Sequence, residues 1–242
     1  MLCESALKGS RCEAMMSAVI GSLADIAAIF VGALVGLFLG RRVNADLRQK
    51  ASYLLAALAI VLGMKMTWDH SGGSFFHVVG QYAKWMFLLV AGNAVGLLLR
   101  LQKRVDGLKS SKELSTGHLS PTAEFVLTPL IFVGAIGEGI FGDPRPFWLK
   151  AGVDGLLALT VVERVRGGLI VVALLVGLLQ GALVVLLDQY SHLVSTGSGH
   201  AIGMVAGLLL LCSAVAIADV RRVNSFNYLP ALFLAPLIGR WW

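Results

Sequence analysis

Long apolar blocks, interrupted at intervals by short polar stretches, constrain this chain more than any motif in it. A window of about 19 residues picks out 18–39, 51–67, 84–101, 122–141, 147–163, 168–189, 199–218 and 226–241. Each is close to the roughly 20 residues a helix needs to cross hydrocarbon. In lipid every backbone amide and carbonyl needs an internal partner, so such blocks span as helices. The predicted fold is therefore all-α, a polytopic transmembrane helix bundle of about eight helices. The number falls to seven if the fourth and fifth blocks, joined only by 142–146, form a re-entrant pair. Residues 16–242 read as one transmembrane domain with a cytoplasmic loop at 102–121. Residues 1–15 read as a disordered tail, with Met15 and Met16 as alternative starts.

Composition agrees, since 57% of residues are hydrophobic and only 14% charged, against about 25% charged in soluble domains. The formal net charge of +6 could be taken for nucleic-acid binding, but topology accounts for it. With the first connection inside the cell, 13 of the 20 Lys and Arg residues fall on the inner side, from Arg41 and Arg42 to Arg221 and Arg222. The positive-inside rule then places both termini outside, with no nucleic-acid partner implied. Trp68, Trp85, Trp148, Trp241 and Trp242 all fall at predicted outer helix ends, where the indole prefers the headgroup layer. The bilayer is the expected partner. Cys3, Cys12 and Cys212 make neither a disulfide framework nor a metal ladder, and no metal or cofactor motif is present.

Helices in lipid associate through close backbone approach at small residues. Gly32, Gly36 and Gly40 are four apart on the first helix, and Gly199, Gly203 and Gly207 repeat that spacing on the seventh. These glycine zippers are predicted to pack helices within the bundle, with a homo-oligomer through the same faces as the alternative.

Ionisable groups at membrane depth cost about 2.5–3.5 kcal/mol each on insertion scales, so they call for a partner, a cavity or a function. Asp25 and Asp154 each lie about seven residues from an outer helix end, roughly 10 Å deep at about 1.5 Å per residue. They are predicted to share a layer. Lys150 precedes Asp154 by four, on the same helix face. Glu138 and Asp143 sit nearer the surface, and Gln180 lies near the midplane. The predicted substrate or ion pathway is thus Asp25, Glu138, Asp143, Lys150, Asp154 and Gln180, lining a wet recess open to the outside. A purely structural account has Lys65 and Lys150 snorkelling to the interface, with the carboxyls protonated and inert.

One run is familiar. Pro129, Gly134, Ile136, Gly139, Gly142 and Asp143, with Leu149, Lys150, Asp154 and Gly155, then Gln180 and Gly181, then Asn227, Leu229, Pro230, Ala231 and Leu232 resemble the YqgA/YdfK-like family of bacterial membrane proteins. Coverage runs from about Met16 to the C-terminus. Asp25 stands where that family tends to carry Asn, Ala151 where it has Ser, and Glu138 where it has a shorter acid. The resemblance implies an integral, multi-pass protein of the bacterial inner (plasma) membrane and supplies no substrate.

Three functions compete at this point. The acids outnumber the bases in the polar layer, which favours a transporter or channel for a small cation or a proton-coupled solute, with a small anion on Lys150 as a variant. An assembly subunit without transport activity is the alternative. An intramembrane enzyme using Asp25 and Asp154 ranks last, because no Gly-x-Ser-x-Gly elbow and no zinc-ligand spacing occur, and the chain is read as no enzyme.

Overall fold

The computed structural model describes residues 20–39, 45–71, 75–110, 128–165, 168–192, 194–218 and 225–240. They form nine α-helices and no strand: α1 (Ile20–Leu39), α2 (Ala45–Ser71), α3 (Phe75–Leu98), α4 (Leu101–Ser110), α5 (Pro129–Phe141), α6 (Arg145–Val165), α7 (Gly168–Ser191), α8 (Thr196–Ile217) and α9 (Leu229–Gly239). A 3-10 turn, Ser225–Tyr228, leads into α9. Four helices are long and apolar enough to cross a membrane by themselves, within Ile20–Phe38, Gln49–Ser71, Leu169–Ser191 and Thr196–Ile217.

The eight helices other than α4 run alternately up and down. The start of α1 meets the end of α5, where the Gly21 amide donates to Glu138. The ends of α5 and α2 meet where the Phe141 ring packs 4.5 Å from that of His70. His200, near the start of α8, places Nδ1 3.0 Å from the His70 carbonyl. Gly197 there lies against Gly239 at the end of α9. Both ends of the described chain therefore lie at one end of the bundle, called here the Gly21 end.

α8 is the central post. Every residue from Ala201 to Leu210 is buried, as befits a helix apolar all round. Around it Ala59, Met66, Trp85, Leu88, Val133, Leu149 and Ala231 complete the larger core. A second core joins α1, α6 and α7 through Ile29, Ala158, Val162, Leu169, Val172, Ala173 and Val176. The outward faces of α1, α2, α3 and α7 are as apolar as the cores, with Val31, Leu54, Phe87 and Leu178 all more than half exposed to the surroundings. A lipid-facing surface has that character.

Three of the zipper glycines bring backbones together as expected, and a fourth makes room for a ring. A Cβ on Gly32 would overlap the Gly155 carbonyl oxygen, and one on Gly36 would lie 2.8 Å from the Leu159 carbonyl oxygen, both on α6. Gly207 abuts Gly63 and Thr67 of α2, and Gly203 lies against the His70 ring. These faces are used inside the chain. Gly199 departs from the expectation: its nearest neighbour is Val194 at 3.7 Å, ordinary contact just before its own helix. Gly40 lies outside the described residues, as do 1–19, Trp241 and Trp242.

Two further expectations need correction. The region after the third span is not all loop, because Leu101–Ser110 forms α4, entered through a left-handed Arg100 at φ 53° and pinned by the Gln102 amide donating to Asn227 Oδ1 at 3.1 Å. Residues 111–121 of that expected loop lie outside the described ones. Of the fourth span, expected over 122–141, Pro129–Phe141 forms α5, and 122–127 lie outside the described residues. Trp85 is 7% exposed and sits in the larger core instead of a headgroup layer, its indole N–H satisfied by Gln81 at 3.1 Å. Trp68 and Trp148 remain exposed.

Candidate functional site

On α1 the buried residues Asp25, Ile29, Gly32 and Gly36 follow the buried pair Gly21 and Ser22 at spacings of three or four, forming one stripe. On α6 the same spacing gives Phe147, Lys150, Asp154, Ala158 and Val162, and on α7 it gives Leu169, Ala173, Val176, Gln180 and Val184. Glycine at 32 and 36 lets the α1 stripe lie directly on α6. Only with the backbones so close can the single methylene of an aspartate reach a group on the neighbouring helix.

The polar residues of the three stripes meet. Lys150 Nζ donates to Asp25 Oδ2 at 2.7 Å and to Asp154 Oδ2 one turn along its own helix. Gln180 Nε2 donates to the same Asp25 Oδ2 at 2.7 Å. Lys150, Asp25 and Gln180 are wholly buried and Asp154 is 1% exposed. Two acids on one base leave the group at a net charge of −1 when all three are ionised.

Apolar layers close the cluster on both sides. Toward the Gly21 end lie Ala135, Phe147 and Val184, with the Phe147 ring pressed on Gly134 and its Cβ on Gly21. Toward the other end lie Ile29, Ala158 and Val176. Among the described residues the charges are therefore held in a closed compartment in this conformation, not at the foot of an outward-open recess. Snorkelling is likewise ruled out for Lys150. Lys65, by contrast, is half exposed and pairs with Asp69 at 3.0 Å.

Glu138 stands one turn from the cluster and serves the helix end. Its Oε1 accepts the Gly21 amide at 2.6 Å, placing negative charge at the start of α1, where the helix dipole favours it. Asp143 is not brought to the cluster. Gly142 ends α5 in a left-handed conformation at φ 65°, a turn glycine makes without strain. Asp143 then accepts the Arg145 amide at 3.1 Å and pairs with the Arg145 guanidinium at 3.4 Å, capping α6. It borders a recess of about 30 Å³ shared with Lys65, Asp69, His70 and Arg145.

Two contributors escaped the sequence reading. Ser22, three residues from Asp25, is buried with no hydrogen-bond partner for its Oγ. Phe147 provides the aromatic cover. The Ser22–Asp25 spacing on one helix face was the available signal for the first, and nothing in composition marks the second.

The family model described as a protein of unknown function (DUF554) matches residues 20–239. This chain belongs to the DUF554 family. Among DUF554 relatives, it is 19% identical over 223 residues to the uncharacterized membrane protein YdfK of Bacillus subtilis (strain 168), covering 91% of this chain and 95% of that protein. It is 21% identical over 238 residues to the uncharacterized protein YqgA of Escherichia coli (strain K12), covering 92% of this chain and 97% of that one. No solved structure matches it. Membership and the apolar helices establish a DUF554 membrane protein.

Proposed function

We propose that this chain is a carrier for protons or a small cation, with the Asp25–Lys150–Asp154–Gln180 cluster as its ion site, held here in an occluded state. The carrying observation is an ionisable cluster with acids in excess, placed between two apolar layers. Buried ion pairs are weak devices for stability, since apolar residues of similar volume often do as well or better. Their presence at membrane depth points to an ion pathway. A continuous channel is disfavoured by the closed layers, and a small anion by the two carboxylates that already occupy the Lys150 ammonium. The short helix α5, preceded by the extended Thr128 and led by Pro129, is the kind of interrupted element that lines transporter sites.

In this reading the carboxylates bind and release an ion, and no bond chemistry is assigned to them. The inner-side surplus of Lys and Arg supports an inner-membrane address with both termini outside. The glycine faces spent on internal packing tell against an assembly role built on them. In proteoliposomes with an imposed pH or cation gradient, the wild type should show gradient-driven flux, and Asp154→Asn should lower it at least tenfold. Flux that Asp154→Asn leaves unchanged, in protein of unchanged helicity, would remove the cluster from the pathway.

A further inference from the structure

We propose that the cluster holds a single proton on Asp25 Oδ1, closing a cyclic acid–amide pair with Gln180 and leaving Lys150 and Asp154 as the standing ion pair. The claim that this proton moves rests on the carrier reading above. Its presence and position do not.

Beside the cluster Ser22 Oγ and Glu138 Oε2 lack partners, and within it two buried oxygens do, Asp25 Oδ1 and Gln180 Oε1. They belong to the same two groups, a carboxyl and an amide already joined by the 2.7 Å bond from Nε2 to Oδ2. Both groups are planar forks, and both orphaned prongs are acceptors, so neither can satisfy the other while Asp25 is a carboxylate. A hydrogen on Oδ1 turns one acceptor into a donor, and one bond, Oδ1–H to Oε1, then satisfies both. Leaving either buried without a partner forfeits its hydration with nothing in return.

Charge calls for one proton in the cluster, and the orphaned pair of oxygens places it on Asp25. Facing Asp25 are Lys150 and Asp154 from α6 and Gln180 from α7, while Glu138 of α5 is turned to the Gly21 amide. With Asp25 neutral, Lys150 and Asp154 cancel and the sealed compartment carries no net charge. A metal cation would remove the negative charge as well. It would have to coordinate a carboxylate whose other oxygen already accepts from the Lys150 ammonium, and cations of that kind ask for several oxygen ligands at once. A proton needs neither the space nor the ligands.

Asparagine at 25 copies the protonated acid, with a donor where Oδ1–H would be and an acceptor at the Oδ2 position. Infrared spectroscopy of the full chain in lipid nanodiscs near neutral pH should show a carboxylic-acid C=O stretch that Asp25→Asn abolishes. Asp25→Asn should melt at the wild-type temperature, while Asp25→Ala should melt lower. Gln180→Leu should shift the stretch, because Gln180 bonds Asp25 and not Asp154. A stretch that ignores Gln180→Leu would place the proton elsewhere and overturn the assignment. So would no acid stretch at all, and a melting temperature that rises with sodium but not potassium would then name the metal cation instead. An acid stretch that behaves as described in a protein without flux would sustain the proton and refute the carrier.

Discussion

Replacing Lys150 with methionine keeps most of the volume and removes the only cation in the sealed cluster. Lys150 is wholly buried and lies 2.7 Å from Asp25 Oδ2 and closer still to Asp154 Oδ2. At an effective dielectric of about 20 the first contact alone represents about 6 kcal/mol of gross attraction. Much of that only offsets the desolvation of the ammonium. What the substitution exposes is the opposite cost, a carboxylate buried without its partner, which runs to about 3–5 kcal/mol. At about 2–4 °C per kcal/mol for a chain of this size, Lys150→Met should melt about 6–20 °C below the wild type, followed by tryptophan fluorescence in nanodiscs. Adding Asp154→Val removes the stranded charge and should recover at least half of the loss. A Lys150→Met protein that melts with the wild type would refute the reasoning, as would a double variant less stable than Lys150→Met alone.

Three smaller perturbations separate the cluster from its scaffold. Glu138→Gln keeps an acceptor for the Gly21 amide but removes the charge from the start of α1, and should cost about 1 kcal/mol, a fall of a few degrees in the same melt. Gly32→Leu drives a side chain into the Gly155 carbonyl and should abolish recovery of monodisperse protein in detergent, whereas Gly107→Ala, with open space around its α-carbon, should be recovered at wild-type yield. Lys65→Gln breaks only a half-exposed pair with Asp69 and should shift the melting temperature by less than about 4 °C, since such pairs contribute about 0–1 kcal/mol.

The sequence reading succeeded where a helix alone decides the geometry. Lys150 and Asp154 are four apart, so their pairing follows from helical pitch. Asp25 and Asp154 are equally far from the starts of the spans read from the sequence, at 18 and 147, so a common layer follows from rise per residue. Gly32 and Gly36 pack because no other residue permits that approach. It failed where the outcome depends on which helices are neighbours. In lipid the outward face is as apolar as the core, so nothing along α3 distinguishes the buried Trp85 from the exposed Phe87. Asp143 carries the same charge as Asp154 and stands in a motif-rich turn, yet its role is set by Gly142, which turns the chain and leaves its carboxylate over the first amides of α6. The sealed state was equally illegible, because Phe147 closes the cluster only through contacts with Gly21 and Gly134, more than 110 residues and 13 residues away in the chain.

The glycines and the charges are parts of one arrangement. An aspartate side chain is short, and two helices packed through leucine or valine would hold Asp25 too far from Lys150 for a 2.7 Å bond. Gly21 and Gly32 flank Asp25 along the α1 stripe, and both approach α6, at Phe147 and Gly155 respectively. Glu138 anchors the start of the same helix. The position of Asp25 is thus fixed from both directions by contacts without polar reach of their own. Any motion that opens the cluster to one side must separate α1 from α6 at one glycine while keeping contact at the other, a rocking of α1 about the stripe. Cross-linking cysteines placed at Ala28 and Gly155, which already adjoin, should therefore hold the compartment shut and stop flux, with reduction restoring it. A cross-linked protein that carries ions at the uncross-linked rate would show that the helices need not part.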